Sequence, residues 1–91
     1  MSTERELITK NIELSGEFSH YLFEHPEIEE RIPKDAEVIL LPEYDKELAD
    51  FNLKTGQQIE QEGGKVLYIK VTGLRPKHLS RIQSLELENV V

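Results

Sequence analysis

The segment from residue 38 to residue 71 constrains the fold of this chain more than any other part. Residues 38–41 form an uninterrupted apolar run, which is typical of a strand buried on both faces. Residues 65–71, Lys-Val-Leu-Tyr-Ile-Lys-Val, are also strongly β-prone, and the sequence between the two runs has helical periodicity over 46–62. Strand, helix and strand in this order predict a right-handed crossover between two parallel strands.

The ends of this central helix carry recognisable signals. Asp45 precedes the periodic stretch and is expected to be its N-cap, whereas Gly63 and Gly64 follow it and are expected to end it. Gly56 falls on the apolar face of the helix, where a glycine costs about 1 kcal/mol of helix propensity relative to alanine. We therefore expect the helix to approach the sheet closely at Gly56.

A longer helix is predicted over residues 4–24, because Thr3 and Glu6 have the spacing of a capping box before a periodic apolar run. At ~100° per residue its apolar side chains spread over an arc of roughly 200°, so we expect contact with more than one neighbour. Asn11 and Ser15 lie near the middle of this arc, where a polar pair can set the register of a helix contact. The arc consists of Leu7, Ile8, Ile12, Leu14, Phe18, Tyr21, Leu22 and Phe23.

The remaining segments complete the predicted α/β architecture. His25 and Pro26 predict a corner, followed by a short helical turn over 27–31. Two parallel strands make a poor sheet, so we expect residues 79–91 or a second chain to complete it, and a homodimer is favoured. We accordingly predict one compact domain over 1–73 and a C-terminal extension over 74–91 that is flexible or bound to a partner.

Composition narrows the class of protein. At 91 residues the chain has the length of one small domain, and its 37% hydrophobic and 32% charged residues are typical of a soluble globular protein. It has no apolar run of ~18 residues and no visible signal peptide, so a cytoplasmic location is expected. The absence of cysteine excludes disulfides, thiol nucleophiles, iron–sulfur clusters and cysteine-based zinc sites.

Charge is distributed unevenly along the chain. The net charge of −7 argues against a nucleic-acid interface over the whole surface. The stretch from Lys70 to Arg81 nevertheless contains no acidic residue, and it carries the candidate partner-binding residues Arg75, Lys77, His78 and Arg81. These bases are a possible contact for phosphate, RNA or an acidic protein surface, but the segment lacks the interleaved aromatic residues on which single-stranded nucleic acids stack.

The loop after the first strand is the other place where chemistry is expected, since ligands of open α/β sheets bind beyond the carboxyl ends of strands. Glu43 and Asp45 in this loop are candidate ligands for a hard cation such as Mg²⁺. The structural alternative is that Asp45 caps the helix and Glu47 complements its dipole. No nucleophile motif or dinucleotide fingerprint is present, and we predict no catalytic residues and no cofactor.

Four segments of the chain resemble a family of short uncharacterised prokaryotic proteins that is defined as a domain of unknown function. They are Leu-Ser-Gly-Glu-Phe at 14–18, Tyr-Leu-Phe-Glu-His-Pro-Glu-Ile at 21–28, Asp-Ala-Glu-Val-Ile-Leu-Leu-Pro at 35–42 and Val-Thr-Gly-Leu at 71–74. The resemblance extends over nearly all of the chain up to residue 74. It implies a bacterial or archaeal cytoplasmic protein and carries over no activity.

Three functions remain open at this point. The leading hypothesis is a small non-enzymatic protein-interaction or regulatory module, such as an antitoxin-like partner of another protein, because the body is acidic and the first helix has a broad apolar arc. The first alternative is RNA or nucleotide binding through the basic C-terminal segment. The second alternative is a small metal-dependent enzyme that uses Glu43 and Asp45.

Overall fold

The computed structural model describes residues 2–76, 82 and 84–87 of the chain. The elements are α1 (Glu4–Glu24), α2 (Pro26–Glu29), β1 (Ala36–Pro42), α3 (Lys46–Gln61) and β2 (Lys65–Val71). This order confirms the predicted α/β fold, with an N-terminal helix, a short helix and a β-α-β unit. The first strand is longer than its apolar core at 38–41, and the short helix begins one residue earlier than predicted because Pro26 occupies a first helical position.

The sheet consists of β1 and β2, which pair in parallel as predicted. Ala36 lies opposite Lys65 at one end of the register and Pro42 lies opposite Val71 at the other. The described residues contribute no further strand: residues 82 and 84–87, which belong to the segment expected to complete the sheet, lie outside it. The rest of that segment, at 79–81, 83 and 88–91, falls outside the described residues.

The hydrophobic core lies where α1, α3 and the sheet meet. Leu7 and Leu14 of α1 pack with Leu40 of β1 and Leu48 of α3, and all four side chains are buried. Half-buried apolar side chains surround this cluster: Phe18, Val38, Phe51, Ile69 and Val71. Within the part of the chain that the structure describes, no helix is both long enough and apolar enough to cross a membrane.

The predicted helix caps are confirmed. The backbone N–H of Glu6 donates to the Thr3 hydroxyl at 3.2 Å, and that of Leu48 donates to the Asp45 carboxylate at 3.1 Å. At the end of α3 the chain turns at Gly63, whose φ of 89° lies in the left-handed region that glycine adopts without steric cost.

Gly56 allows α3 to approach the second strand, as the sequence predicts. A Cβ atom at this position would lie 2.6 Å from Cε1 of Tyr68, so the Tyr68 ring occupies the space that a side chain would need. The Tyr68 hydroxyl donates a hydrogen bond to Glu60, four residues further along α3. The ring therefore holds β2 against one face of the crossover helix.

A pair of asparagines joins the N-terminal helix to the β-α-β unit. The Asn11 side chain donates to Asn52 Oδ1 at 2.6 Å, and Asn52 donates back to Asn11 Oδ1 at 2.7 Å. Asn52, which is only 5% exposed, also donates to the backbone carbonyl of Leu40 at 2.8 Å. The polar pair expected at Asn11 is thus formed with α3, and it sets the position of α1 relative to β1.

Candidate functional site

Both candidate metal ligands in the loop after β1 are paired with lysines. Lys10 Nζ lies 3.0 Å from Asp45 Oδ2, and Lys70 Nζ lies 3.4 Å from Glu43 Oε1. The hydrogen bond from Lys10, reinforced by the backbone N–H of Leu48, holds the pKa of Asp45 below its ordinary value. The same hydrogen bond raises the pKa of Lys10. Asp45 thus acts both as the cap of α3 and as the partner of a lysine on α1.

Glu47, the third carboxylate near this loop, binds the N-terminal end of the described chain. The backbone N–H of Ser2 donates to both carboxylate oxygens of Glu47 at 2.9 Å, and hydrogen bonding by Ser2 lowers the pKa of Glu47. Across residues 2–76, 82 and 84–87, no three His, Asp or Glu side chains form a group able to hold a metal ion. Asp45 and Glu47 thus fasten α1 and the residue Ser2 before it to the start of α3, whereas Glu43 is paired with Lys70 of β2.

The candidate partner-binding residues of the basic segment are only partly placed by the structure. Arg75 is exposed beyond the end of β2. Lys77, His78 and Arg81 lie outside the described residues, so their proposed contact with a partner stays a prediction.

The apolar arc of α1 is divided into two parts. One part, with Leu7 and Leu14, enters the core. The other part remains on the surface, where Ile8 is 46% exposed, Ile12 68% and Phe23 86%. At ~100° per residue these three residues lie within about 60° of one another on the helix, and we call them the α1 stripe. The width of the predicted arc was the sequence signal for this second face.

A groove of about 310 Å³ runs between α1 and α3 along the first strand. Its lining combines small polar and apolar side chains, and sequence reasoning did not identify it because its members come from three separate elements. The lining residues are Asn11, Ser15, Phe18 and Ser19 of α1, Val38, Ile39 and Leu40 of β1, and Asn52 and Thr55 of α3.

The floor of this groove is the free edge of β1. The backbone N–H of Glu43 donates to Val71 O at 2.8 Å, so in the continuous parallel ladder the odd-numbered residues of β1 bond to β2. The even-numbered residues, including Val38 and Leu40, direct their backbone groups to the opposite side. The bond from Asn52 to the Leu40 carbonyl agrees with this direction. Within the described part of the chain, no residue accepts a hydrogen bond from the backbone N–H of Val38 or Leu40.

Comparison with known proteins places the chain in a family but supplies no activity. Searches among curated proteins and among solved structures find no match. The family of unknown function designated DUF5647 matches residues 6–85, which include all five helices and strands except the first two residues of α1. Because this match covers most of the sequence, the chain belongs to the DUF5647 family of unknown function.

Proposed function

We propose that this protein is an interaction module that acts by binding another protein through the α1 stripe. The observation that supports this proposal is the exposure of Ile8, Ile12 and Phe23 on one face of α1, beside the face that enters the core. Single exposed apolar residues are ordinary on protein surfaces, but aligned large ones mark interaction sites. A helix that is polar outside its core face would show no such row.

The charges on α1 limit the chemistry of the partner. At ~100° per residue, four exposed carboxylates of α1 lie about 80–180° around the helix from the stripe residues, whereas Arg5 lies at the same angle as Phe23. The carboxylates are Glu6, Glu13, Glu17 and Glu24. A partner that extends beyond the stripe therefore meets a largely acidic helix, which favours basic residues next to its own apolar face. The partner that fits best is a protein with an amphipathic helix whose apolar face is flanked by Lys or Arg, because two helices bury such stripes along their length.

The size of the expected effect follows from the exposed apolar area. Full burial of an isoleucine or phenylalanine side chain contributes about 1.5–3 kcal/mol. Ile12 is 68% and Phe23 86% exposed, and binding would bury only part of each side chain, so we expect each to contribute about 1–2 kcal/mol to binding. Replacing either with glutamate also places a charge against an apolar partner, and we expect Kd to rise at least tenfold for each variant.

The experiment is a pull-down with the tagged chain from a nuclease-treated lysate of the native host, in which the captured proteins are identified. The Kd of each captured protein for the chain is then measured with purified components. The variants are Ile12→Glu and Phe23→Glu, and the control is Thr9→Glu, which adds the same charge at an exposed position of α1 outside the stripe. Circular dichroism verifies that all the variants fold.

We expect a protein that binds the native chain and the Thr9 variant but neither stripe variant. Equal binding by all three variants would show that the stripe is not the contact surface. Capture of material that disappears with nuclease, or of no protein at all, would likewise overturn the proposal.

A further inference from the structure

We infer that residues 84–87 of one copy of this chain add a third strand to the free edge of β1 in a second copy, so that two chains form a dimer by exchanging these segments. This inference goes beyond the proposed function, because it uses the groove between α1 and α3 and not the α1 stripe.

The free edge of β1 has hydrogen-bonding capacity that the described chain does not use. The N–H groups of Val38 and Leu40 and the carbonyl of Val38 point to this edge, and Leu40 itself is 6% exposed. Backbone groups without a protein partner at the edge of a sheet are available to pair with a further strand. An added strand would satisfy all three groups, and its pairing would end at Leu40, whose carbonyl already accepts from the Asn52 side chain.

The shape of the groove suits an extended segment. The groove is open along β1, and small side chains, Ser15 and Ser19 on one wall and Thr55 on the other, leave room beside the strand. Neighbouring strands lie ≈ 4.8 Å apart, and side chains of an added strand alternate between its two faces. A bound segment with apolar residues at every second position would therefore direct them toward Val38 and Phe18.

Residues 84–87 of this chain have that pattern. Their sequence is Ser-Leu-Glu-Leu, with two leucines separated by one glutamate. Leu85 is 66% exposed and Leu87 is 92% exposed, and the segment belongs to no strand of its own chain. The same chain thus presents an empty strand position and, elsewhere, a segment with strand alternation and uncovered leucines.

The length of the connection permits exchange between copies. Twelve residues, 72–83, separate the end of β2 from Ser84, and when extended they span up to about 40 Å. This reach is sufficient for the segment to contact a neighbouring molecule as well as its own sheet, and only pairing with a neighbouring molecule depends on protein concentration. Each copy provides its segment to the groove of the other and receives the other's segment in its own groove. The resulting two-fold dimer is closed and buries both grooves, which is the arrangement that segment exchange favours.

The test measures the mass of the full-length chain by analytical ultracentrifugation over a range of concentrations. The chain of 10.6 kDa is expected to approach twice that mass as its concentration rises. Two variants are each expected to raise the dimer Kd at least tenfold: Thr55→Arg, which fills the groove, and Leu85→Asp with Leu87→Asp, which removes the apolar side chains of the segment.

The chain offers a closely matched control for the groove variant. Thr9, like Thr55, is an exposed helical threonine whose hydroxyl donates to the carbonyl four residues earlier, at 3.0 Å in Thr9 and 3.2 Å in Thr55. Thr9→Arg therefore makes the same chemical change outside the groove, and its dimer Kd should equal that of the native chain. Ile12→Glu and Phe23→Glu should also leave the dimer intact, which separates this inference from the proposed function.

Mixing distinguishes exchange from any other dimer. The Thr55→Arg chain retains an intact segment, and the Leu85→Asp, Leu87→Asp chain retains an intact groove, so their mixture should form a heterodimer that neither variant forms alone. Hydrogen exchange should show the Val38 and Leu40 amides becoming protected as the native concentration rises. A monomer at every concentration, protection independent of concentration, or a dimer unaffected by either variant would each overturn the inference.

Discussion

Replacing Asn52 with leucine tests how the fold positions α1, because the Asn52 side chain bonds to both α1 and β1. Its amide donates to Asn11 and to the Leu40 carbonyl, and it accepts from Asn11. Leucine has the same branched side-chain shape as asparagine and is apolar, so the substitution removes the hydrogen bonds without leaving a cavity. The remaining Asn11 amide and Leu40 carbonyl then lose their partners inside the protein.

The magnitude follows from the number of bonds. At a net value of about 1 kcal/mol per hydrogen bond, Asn52→Leu removes three bonds and costs about 3 kcal/mol, and Asn11→Leu removes two and costs about 2 kcal/mol. The double variant removes the same three bonds, so it should cost about 3 kcal/mol and not the additive value of about 5 kcal/mol. The coupling energy of about 2 kcal/mol is a large fraction of the total stability, about 5–14 kcal/mol, expected for a domain of this size.

The assay is urea unfolding followed by circular dichroism, with the free energy of unfolding obtained by linear extrapolation and the m-value compared among variants. An unchanged m-value shows that α1 remains docked in the variants. Pairing Asn52→Leu with Thr9→Ala provides a control, since Thr9 does not contact the pair and the two effects should add within about 0.5 kcal/mol. Additive costs for Asn11 and Asn52 would refute the assignment of a coupled pair.

Three further predictions concern local structure. Gly16→Ala should stabilise the protein by about 0.5–1 kcal/mol, because nothing lies within 4 Å of the added Cβ. Gly56→Ala should destabilise it by about 1 kcal/mol, because the Tyr68 ring must move. Thermal unfolding measures both effects. Gly63→Ala should cost about 1 kcal/mol in urea unfolding, and Gly63→Asn should cost less, because φ is positive there. The folded-state pKa of Asp45 lies below its ordinary value of 3.8, so its ionised form stabilises the fold above that pH, and this stabilisation is lost as pH falls through the folded pKa. The free energy of unfolding of Asp45→Asn should therefore fall less steeply with acid than that of the native chain. An unchanged dependence on pH would contradict this.

The β-α-β unit could be predicted because its signals are local. A continuous apolar run, a periodic stretch with Asp45 before it and two glycines after it, and a second β-prone run each identify one element without knowledge of the others. The connection between the strands then determines that they are parallel. Gly56 was likewise interpretable, because a glycine on an apolar helix face indicates a close neighbour, although the identity of that neighbour, Tyr68, depends on the packing.

The contacts between distant segments could not be predicted. The acids at Glu43 and Asp45 were compatible with a cation site, and only the folded structure brings Lys70 and Lys10 to them. The sequence likewise showed that the apolar arc of α1 was too wide for one neighbour, but not which residues would remain exposed. That division depends on where the Asn11–Asn52 pair holds the helix.

The two proposed surfaces have a common physical origin in the small size of the fold. One crossover helix and one additional helix bury a single cluster around Leu40 and Leu48, and a chain of this length has no further described element to cover the other edge of β1 or the second face of α1. The free strand edge presents backbone groups and therefore selects an extended segment, whereas the α1 stripe presents only side chains and therefore selects an apolar surface. Because their recognition chemistry differs, we expect the two surfaces to bind different occupants, an extended segment of a second copy and an apolar helix of another protein.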